Sequence, residues 1–221
     1  MERQATLQLF PSSAAPRERR RFLEPVKPER VELRRLRRAV RRGHRVSLET
    51  VDVPWEPDGP DELTALGDLA DCELTIVTRS SKLVDQLGLL VDLDWRCTVT
   101  VDMLLASLDP FLVRRLEPGA EDPRARLRAV ATLASEGLAV RLICAPWRPG
   151  LNDREPGLRA LLSAARQAGA QDVAASLAEA RSSRFFRRLS GRALEEAEKG
   201  LADFRRLRLE YGFPRPVAGR G

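Results

Sequence analysis

The stretch that decides the fold is LDPFLVRRLEPGAEDPRARLRAVATLASEGLAVRLICAPWRPGLND, residues 108–153. Asp109 and Pro110 open a short helix, with the acid as cap and the proline in the first turn. Pro118 and Gly119 end it. Asp122 and Pro123 repeat the same opening for a longer helix, which Gly137 stops. LAVRLICAP then alternates as a strand, and an irregular loop rich in Pro, Gly, Asn and Asp follows. Asn152 and Asp153 are read as caps of the helix beyond. In the strand, Leu138, Val140, Leu142 and Cys144 form one set; Ala139, Arg141 and Ile143 form the other. A parallel strand is buried on both faces, so Arg141 must find a partner or an open mouth.

Outward from this stretch the pattern repeats. RVSLETVDV (45–53), ELTIVTRS (73–80) and RCTVTVDML (96–104) read as strands, and DVAAS (172–176) as a short one. Helices are expected over 28–42, over DELTALGDLA (61–70, capped by Asp61), over KLVDQLGLLVDL (82–93), and over GLRALLSAARQAGA (157–170). Strands alternating with helices through short links predict a parallel α/β sheet. Five strands are too few for a closed eight-stranded barrel, and residues 1–20 show no strand pattern. The expected organisation is an arm at 1–20, an α/β domain at 21–180, and a helical extension with an irregular tail at 181–221. No Gly-rich loop follows a strand, which argues against a P-loop or dinucleotide-binding domain.

Composition narrows the function classes. The chain has 221 residues, 43% hydrophobic and 5% aromatic, so its core is built from Leu, Val and Ala. No apolar run reaches the roughly 20 residues of a membrane span. No signal-peptide pattern opens the chain, and a cytoplasmic location without membrane contact is expected. Charge is uneven. Residues 1–45 carry 14 Lys/Arg against 5 Asp/Glu, a balance of +9; the net +6 of the whole chain leaves −3 elsewhere. The surplus lies in RERRR (17–21) and RRLRRAVRRGHR (34–45). On a helix striped by Val31, Leu36 and Val40, the outward residues are Arg34, Arg35, Arg37, Arg38, Arg41 and Arg42. They are the candidate contacts for nucleic acid or another partner. The competing interpretation is a solvated helix face.

The segment LDP, LEP, a helix, EG, a strand, then APWRPGLND resembles radical SAM proteins of the spore photoproduct lyase-like group. FLEPVKPERVELRRLRR (22–38), VSLETVDVPWEP (46–57), IVTRSSKLVDQLGLL (76–90) and FRRLRLEYGFPRP (204–216) are similar to other parts of that group. The resemblance implies a six-stranded partial (βα) barrel with its site at the C-terminal ends of the strands. It also implies a [4Fe–4S] cluster, held by a CxxxCxxC loop after the first strand, and S-adenosylmethionine on its fourth iron.

The departures are specific. The cysteines are Cys72, Cys97 and Cys144, 25 and 47 residues apart, with no CxxxCxxC. One loop must wrap one cluster, and three scattered thiols do not. The Asp before Pro in the second-strand loop is here Val53. The fourth strand ends in Met103-Leu104-Leu105, and the AP-x2-PG pair is Trp147-Arg148. The expectation is therefore a barrel of this type, truncated or degenerate at its N-terminal strand. It has no metal and no catalytic residue, no cofactor of its own, and a role in binding a protein or nucleic acid. The alternatives are a subunit or fragment whose cluster portion another chain supplies, and a cluster-independent enzyme on the same fold. Radical SAM chemistry is not expected from this chain alone. Thr50, Asp52, Thr78, Arg79, Ser80, Arg141, Asn152 and Asp153 fall at or near the expected mouth and are the candidate ligand residues. A small anion fits Thr78-Arg79-Ser80. The acids Asp52, Glu56, Asp58, Asp61 and Glu62 could take a cation or a basic partner. The one histidine, His44, excludes a His-rich metal site and disfavours a Ser–His–Asp triad.

Overall fold

A computed structural model describes residues 4–7, 45–50, 73–175 and 191–213. Its centre is a parallel sheet of six strands: β1 (Gln4–Leu7), β2 (Arg45–Thr50), β3 (Glu73–Thr78), β4 (Thr98–Leu104), β5 (Ala139–Cys144) and β6 (Asp172–Ala175). The strands lie side by side in chain order. An order with no reversal has no topological switch point, which separates this sheet from the doubly wound type. β1 and β6 end the sheet, and no described pairing joins them.

Between β3 and β4 run a 3-10 helix (Ser81–Gln86) and α1 (Leu87–Asp94). Between β4 and β5 run α2 (Pro110–Leu116) and α3 (Pro123–Ser135). α4 (Glu155–Gln167) joins β5 to β6, and α5 (Arg192–Glu210) follows. The caps read from sequence hold for α2 and α3. Asp109 accepts from the Phe111 and Leu112 amides, and Asp122 from the Arg124 amide. Gly119 and Gly137 carry the positive φ of chain reversals, at 84° and 87°.

One face of the sheet is apolar and buried under the helices. Leu74 and Ile76 of β3 meet Val99 and Val101 of β4. Val140, Leu142 and Cys144 of β5 and Val173 of β6 continue the layer. Leu83, Leu90, Leu93, Val130, Leu133, Leu158, Leu161 and Leu162 from the helices belong to the same core. The alternation expected for β5 holds: Val140, Leu142 and Cys144 are buried, while Ala139, Arg141 and Ile143 are half-buried on the opposite face. β5 is an interior strand, paired to β4 and β6.

Two expectations are corrected. The N-terminal strand expected to be missing is present, in register with β2 from Gln4 opposite Arg45 to Leu7 opposite Leu48. Four residues are too short to show alternation, so residues 1–20 concealed it. The helix expected over 82–93 is a 3-10 turn followed by α1, because Ser80 caps the Lys82 amide and bends the start. The C-terminal helix packs on the core. Ala197, Leu201, Phe204 and Leu207 of α5 are buried, and Phe204 meets Trp147 edge to face with ring centroids 5.5 Å apart. Gly200 lets α5 approach closely: a β-carbon there would lie 2.7 Å from an Asp153 carboxylate oxygen.

Candidate ligand face

The face of the sheet turned from the helices is polar. Register sets Thr75 beside Thr100, Val77 beside Asp102, Asp102 beside Arg141, and Arg141 beside Asp172. The Arg141 guanidinium donates from Nε to Asp102 Oδ1 and from Nη2 to Asp102 Oδ2, each at 2.6 Å. This is the planar two-point match of a guanidinium fork with a carboxylate. Asp102 is 7% exposed, and burial pushes its pKa up against the opposing pull of Arg141. The bond to Asp102 in turn raises the Arg141 pKa. On the next strand Asp172 accepts from Arg208 of α5. A row of alternating charges thus runs from β4 to α5, and Arg141 has the partner that its place in the strand demanded.

At the C-terminal ends of the strands, two acids of the α2–α3 connection reach back to β3. Glu117 Oε2 lies 3.3 Å from Arg79 Nε and 3.4 Å from Arg126 Nη1. Arg126 is 1% exposed and also donates to the Leu104 carbonyl at 3.0 Å. Glu121 accepts from Ser80 Oγ at 3.0 Å and from the Ser81 amide at 2.7 Å. Thr78 is buried and accepts from the Ser80 amide. The position expected to take a small anion therefore holds a carboxylate of the chain itself.

The loop after β5 is internally tied. Asn152 donates to the carbonyls of Ala106 and Pro146, both at 2.9 Å, and accepts from the Arg148 amide at 2.7 Å. Asp153 accepts from the Gly150 amide at 2.7 Å. Neither residue caps α4, whose cap position is Arg154 with no side-chain bond. The capping expectation is corrected: these side chains are spent on the turn that carries the chain from β5 to α4.

Of the residues expected at a mouth, Thr78, Arg79 and Ser80 come together, joined to Glu117 and Glu121. Asn152 and Asp153 form a separate knot, and Arg141 lies on the open sheet face. Thr50 ends β2 opposite Thr78 in register. Asp52, the acids at 56–62, Cys72, His44 and the arginines Arg34, Arg35, Arg37, Arg38, Arg41 and Arg42 lie outside the described residues. Sequence reasoning missed Asp102, Glu117, Arg126, Asp172 and Arg208. The one available signal was Asp102, an acid inside the otherwise apolar VTVDML run.

Cys97 stands just before β4 and Cys144 ends β5; both are buried and neither is in a disulfide. Burial pushes the Cys144 thiol up to about 12. Among the described residues, no group of three or more His, Cys, Asp or Glu side chains is placed to hold a metal ion, and no helix is long and apolar enough to cross a membrane.

No protein-family model matches the chain. Over 100 residues, 45% of its length, it is 34% identical to the uncharacterised proteins Rv2578c of Mycobacterium tuberculosis and Mb2609c of Mycobacterium bovis. The matched part is 29% of those proteins. Among solved structures, the chain is similar to a cysteine-to-alanine variant of spore photoproduct lyase. The TM-score is 0.53 at 16% identity, covering 84% of this chain and 65% of that one. A double variant of the lyase, with bound AdoMet and dinucleoside spore photoproduct, matches with TM-score 0.52 at 17% identity, covering 82% and 63%. The chain shares the α/β fold of this radical SAM lyase and spans about two thirds or less of the proteins it matches.

Proposed function

We propose that this chain is a radical-SAM-like partial barrel with no iron–sulfur site of its own, which acts by binding a partner. The observation that carries the reading is the placement of its thiols. A [4Fe–4S] cluster takes closely spaced thiolates. Leu104 pairs with Ile143, so Cys97 and Cys144 stand about eight residues apart along the strand direction. At ~3.3 Å per residue that is roughly 25 Å. Residues 8–44, the connection from β1 to β2, contain no cysteine. The separation of Cys97 and Cys144 supports a chain that does not hold the cluster itself. The ascending strand order and the likeness to the lyase support the partial barrel.

The charge surplus at residues 1–45 favours nucleic acid as the partner, held through phosphates by arginines among 34–42. No aromatic residue interleaves with them, so weak sequence preference is expected.

Two measurements test the reading. Anaerobic reconstitution with iron and sulfide should give well under one cluster per chain; stoichiometric four-iron loading that disappears on replacing Cys72, Cys97 or Cys144 would overturn it. Retention of duplex or single-stranded nucleic acid should fall steeply with salt, by about 0.9 log units per neutralised duplex phosphate per tenfold salt. Replacing Arg34, Arg38 and Arg41 together should weaken it without unfolding the chain. No retention at roughly 50 mM salt, where phosphate contacts are strong, rejects nucleic acid and makes a protein the partner.

A second reading is favoured by the coverage figures. The chain spans 29% of its curated relatives, so a separate chain or segment could supply the cluster portion. A cluster bound only on mixing with such a portion would select it.

A further inference from the structure

We infer that the outer face of α2 is a stacking site for single-stranded nucleic acid, with an unpaired base on the Phe111 ring and phosphates on the arginines around it. The inference rests on the reading of nucleic acid as the partner, and it adds a surface apart from the basic arm. Phe111, Arg114 and Arg115 are exposed, while Val113 among them is buried. Positions three and four apart share a helix face, so the ring and both guanidinium groups stand on the side turned from the core. Phe111 is 77% exposed, and the Arg114 guanidinium lies over its ring, 4.9 Å from the centroid.

A single exposed apolar side chain is ordinary. This one stands among unspent positive charges. Glu117, just past α2, meets Arg126 of α3, which ties the two helices together. Arg124 and Arg128 are exposed and Arg126 is buried, so the first two stand on the outer side of α3. Among the described residues, no acid is paired with Arg114, Arg115, Arg124 or Arg128. The exposed acids nearby face helix amides: Asp109 caps α2 and Asp122 caps α3. Glu121 is held by Ser80 and Ser81. Guanidinium forks match phosphate. A flat ring beside an arginine offers a face that any base can cover, with cation–π support. Bases inside a duplex are covered by their neighbours, so the ring selects an unpaired one. An acidic peptide would satisfy the arginines, but its carboxylates offer the ring nothing.

The experiment is a fluorescence-anisotropy titration of the full chain with a labelled single strand, and with a strand of abasic sugars of the same length. The abasic strand keeps the phosphates and lacks the bases. The wild type should prefer the natural strand. Phe111→Ala should weaken binding of that strand by roughly 5- to 150-fold, the range for losing one stacked base, and should abolish the preference. Phe111→Trp should restore both. Trp95 is 86% exposed at the other end of the sheet, with Asp92, Asp94 and Arg96 near it in sequence. Trp95→Ala should therefore change neither. Replacing Arg115, Arg124 and Arg128 together by Ala should flatten the salt dependence, by about 0.7 in slope for each single-strand phosphate released. Circular dichroism confirms that each variant is folded. Equal binding of the natural strand by wild type and Phe111→Ala overturns the inference, as does a wild type that holds both strands alike. A Phe111-dependent hold on an acidic peptide, with none on the strand, overturns it in favour of a protein. The arm is read separately. Strand binding that survives loss of Arg34, Arg38 and Arg41 but not of Phe111 would reject the arm and leave this site standing; the opposite pattern would do the reverse.

Discussion

Gly200 of α5 faces Asp153 so closely that an added β-carbon would lie 2.7 Å from the acid's Oδ2 and 3.0 Å from its Cβ. Gly to Ala inside a helix ordinarily gains up to ~1 kcal/mol. Here the sign should reverse. Asp153 is short, and its other oxygen holds the Gly150 amide, so relieving the clash disturbs the turn. Gly200→Ala should destabilise by about 1–3 kcal/mol, the range for overpacking. Thermal unfolding of wild type and variant checks this.

Asn152 joins three backbone groups from two connections. Asn152→Ala would leave the Ala106 and Pro146 carbonyls without this donor. A loss of about 2–4 kcal/mol is expected, from one to two unsatisfied buried groups. Asn152→Asp should be no better, because a carboxylate cannot donate to either carbonyl. Urea unfolding midpoints decide it, and a variant within 0.5 kcal/mol, about the ordinary surface range, would show that the knot is dispensable.

Glu117 is the only acid shown against Arg126, among the described residues. Glu117→Ala should cost about 3–5 kcal/mol, since it strands a buried guanidinium. Arg126→Met, which removes that charge and keeps much of the volume, should recover part of the loss when added to Glu117→Ala. A double variant less stable than the single one would contradict this account of the pair.

Cys144 gives a pH dependence. Its folded-state thiol is raised from the ordinary 9.0 to about 12. The unfolded chain therefore releases this proton at lower pH than the folded one. The stabilising contribution is complete below about pH 9 and is lost as pH rises towards 12, by at most about 1.4 kcal/mol per unit. Melting temperature should fall faster above pH 9 in the wild type than in Cys144→Ala. Identical slopes would show that the thiol ionises as freely when folded.

How much was legible in the sequence follows from how local each signal is. The helix openings at Asp109-Pro110 and Asp122-Pro123, the stop at Gly137 and the alternation of β5 are written in adjacent residues, and the structure has them. The family resemblance pointed to an α/β fold like that of the lyase, and the structure has this much of it. β1 was missed because four residues carry no period. The row Asp102–Arg141 was half legible: the strand demanded a partner for Arg141 but could not say which, since register spans 39 residues of sequence. Glu117 stood in the LEP block, and Glu121 carried no signal of its own. Their roles depend on where the α2–α3 connection meets the end of β3, and no local pattern encodes that meeting.

The chain-order sheet has a consequence for how the protein opens. β4 and β5 are interior strands, and α3 packs on the same core. Their amides should exchange with deuterium last. β6 is four residues long and ends the sheet, but it is tied to α5 through Asp172–Arg208. Arg159 and Arg206 pair with Glu155 and Glu210 to fasten α5 to α4. α4, β6 and α5 should therefore come away as one cooperative unit, and not one after another.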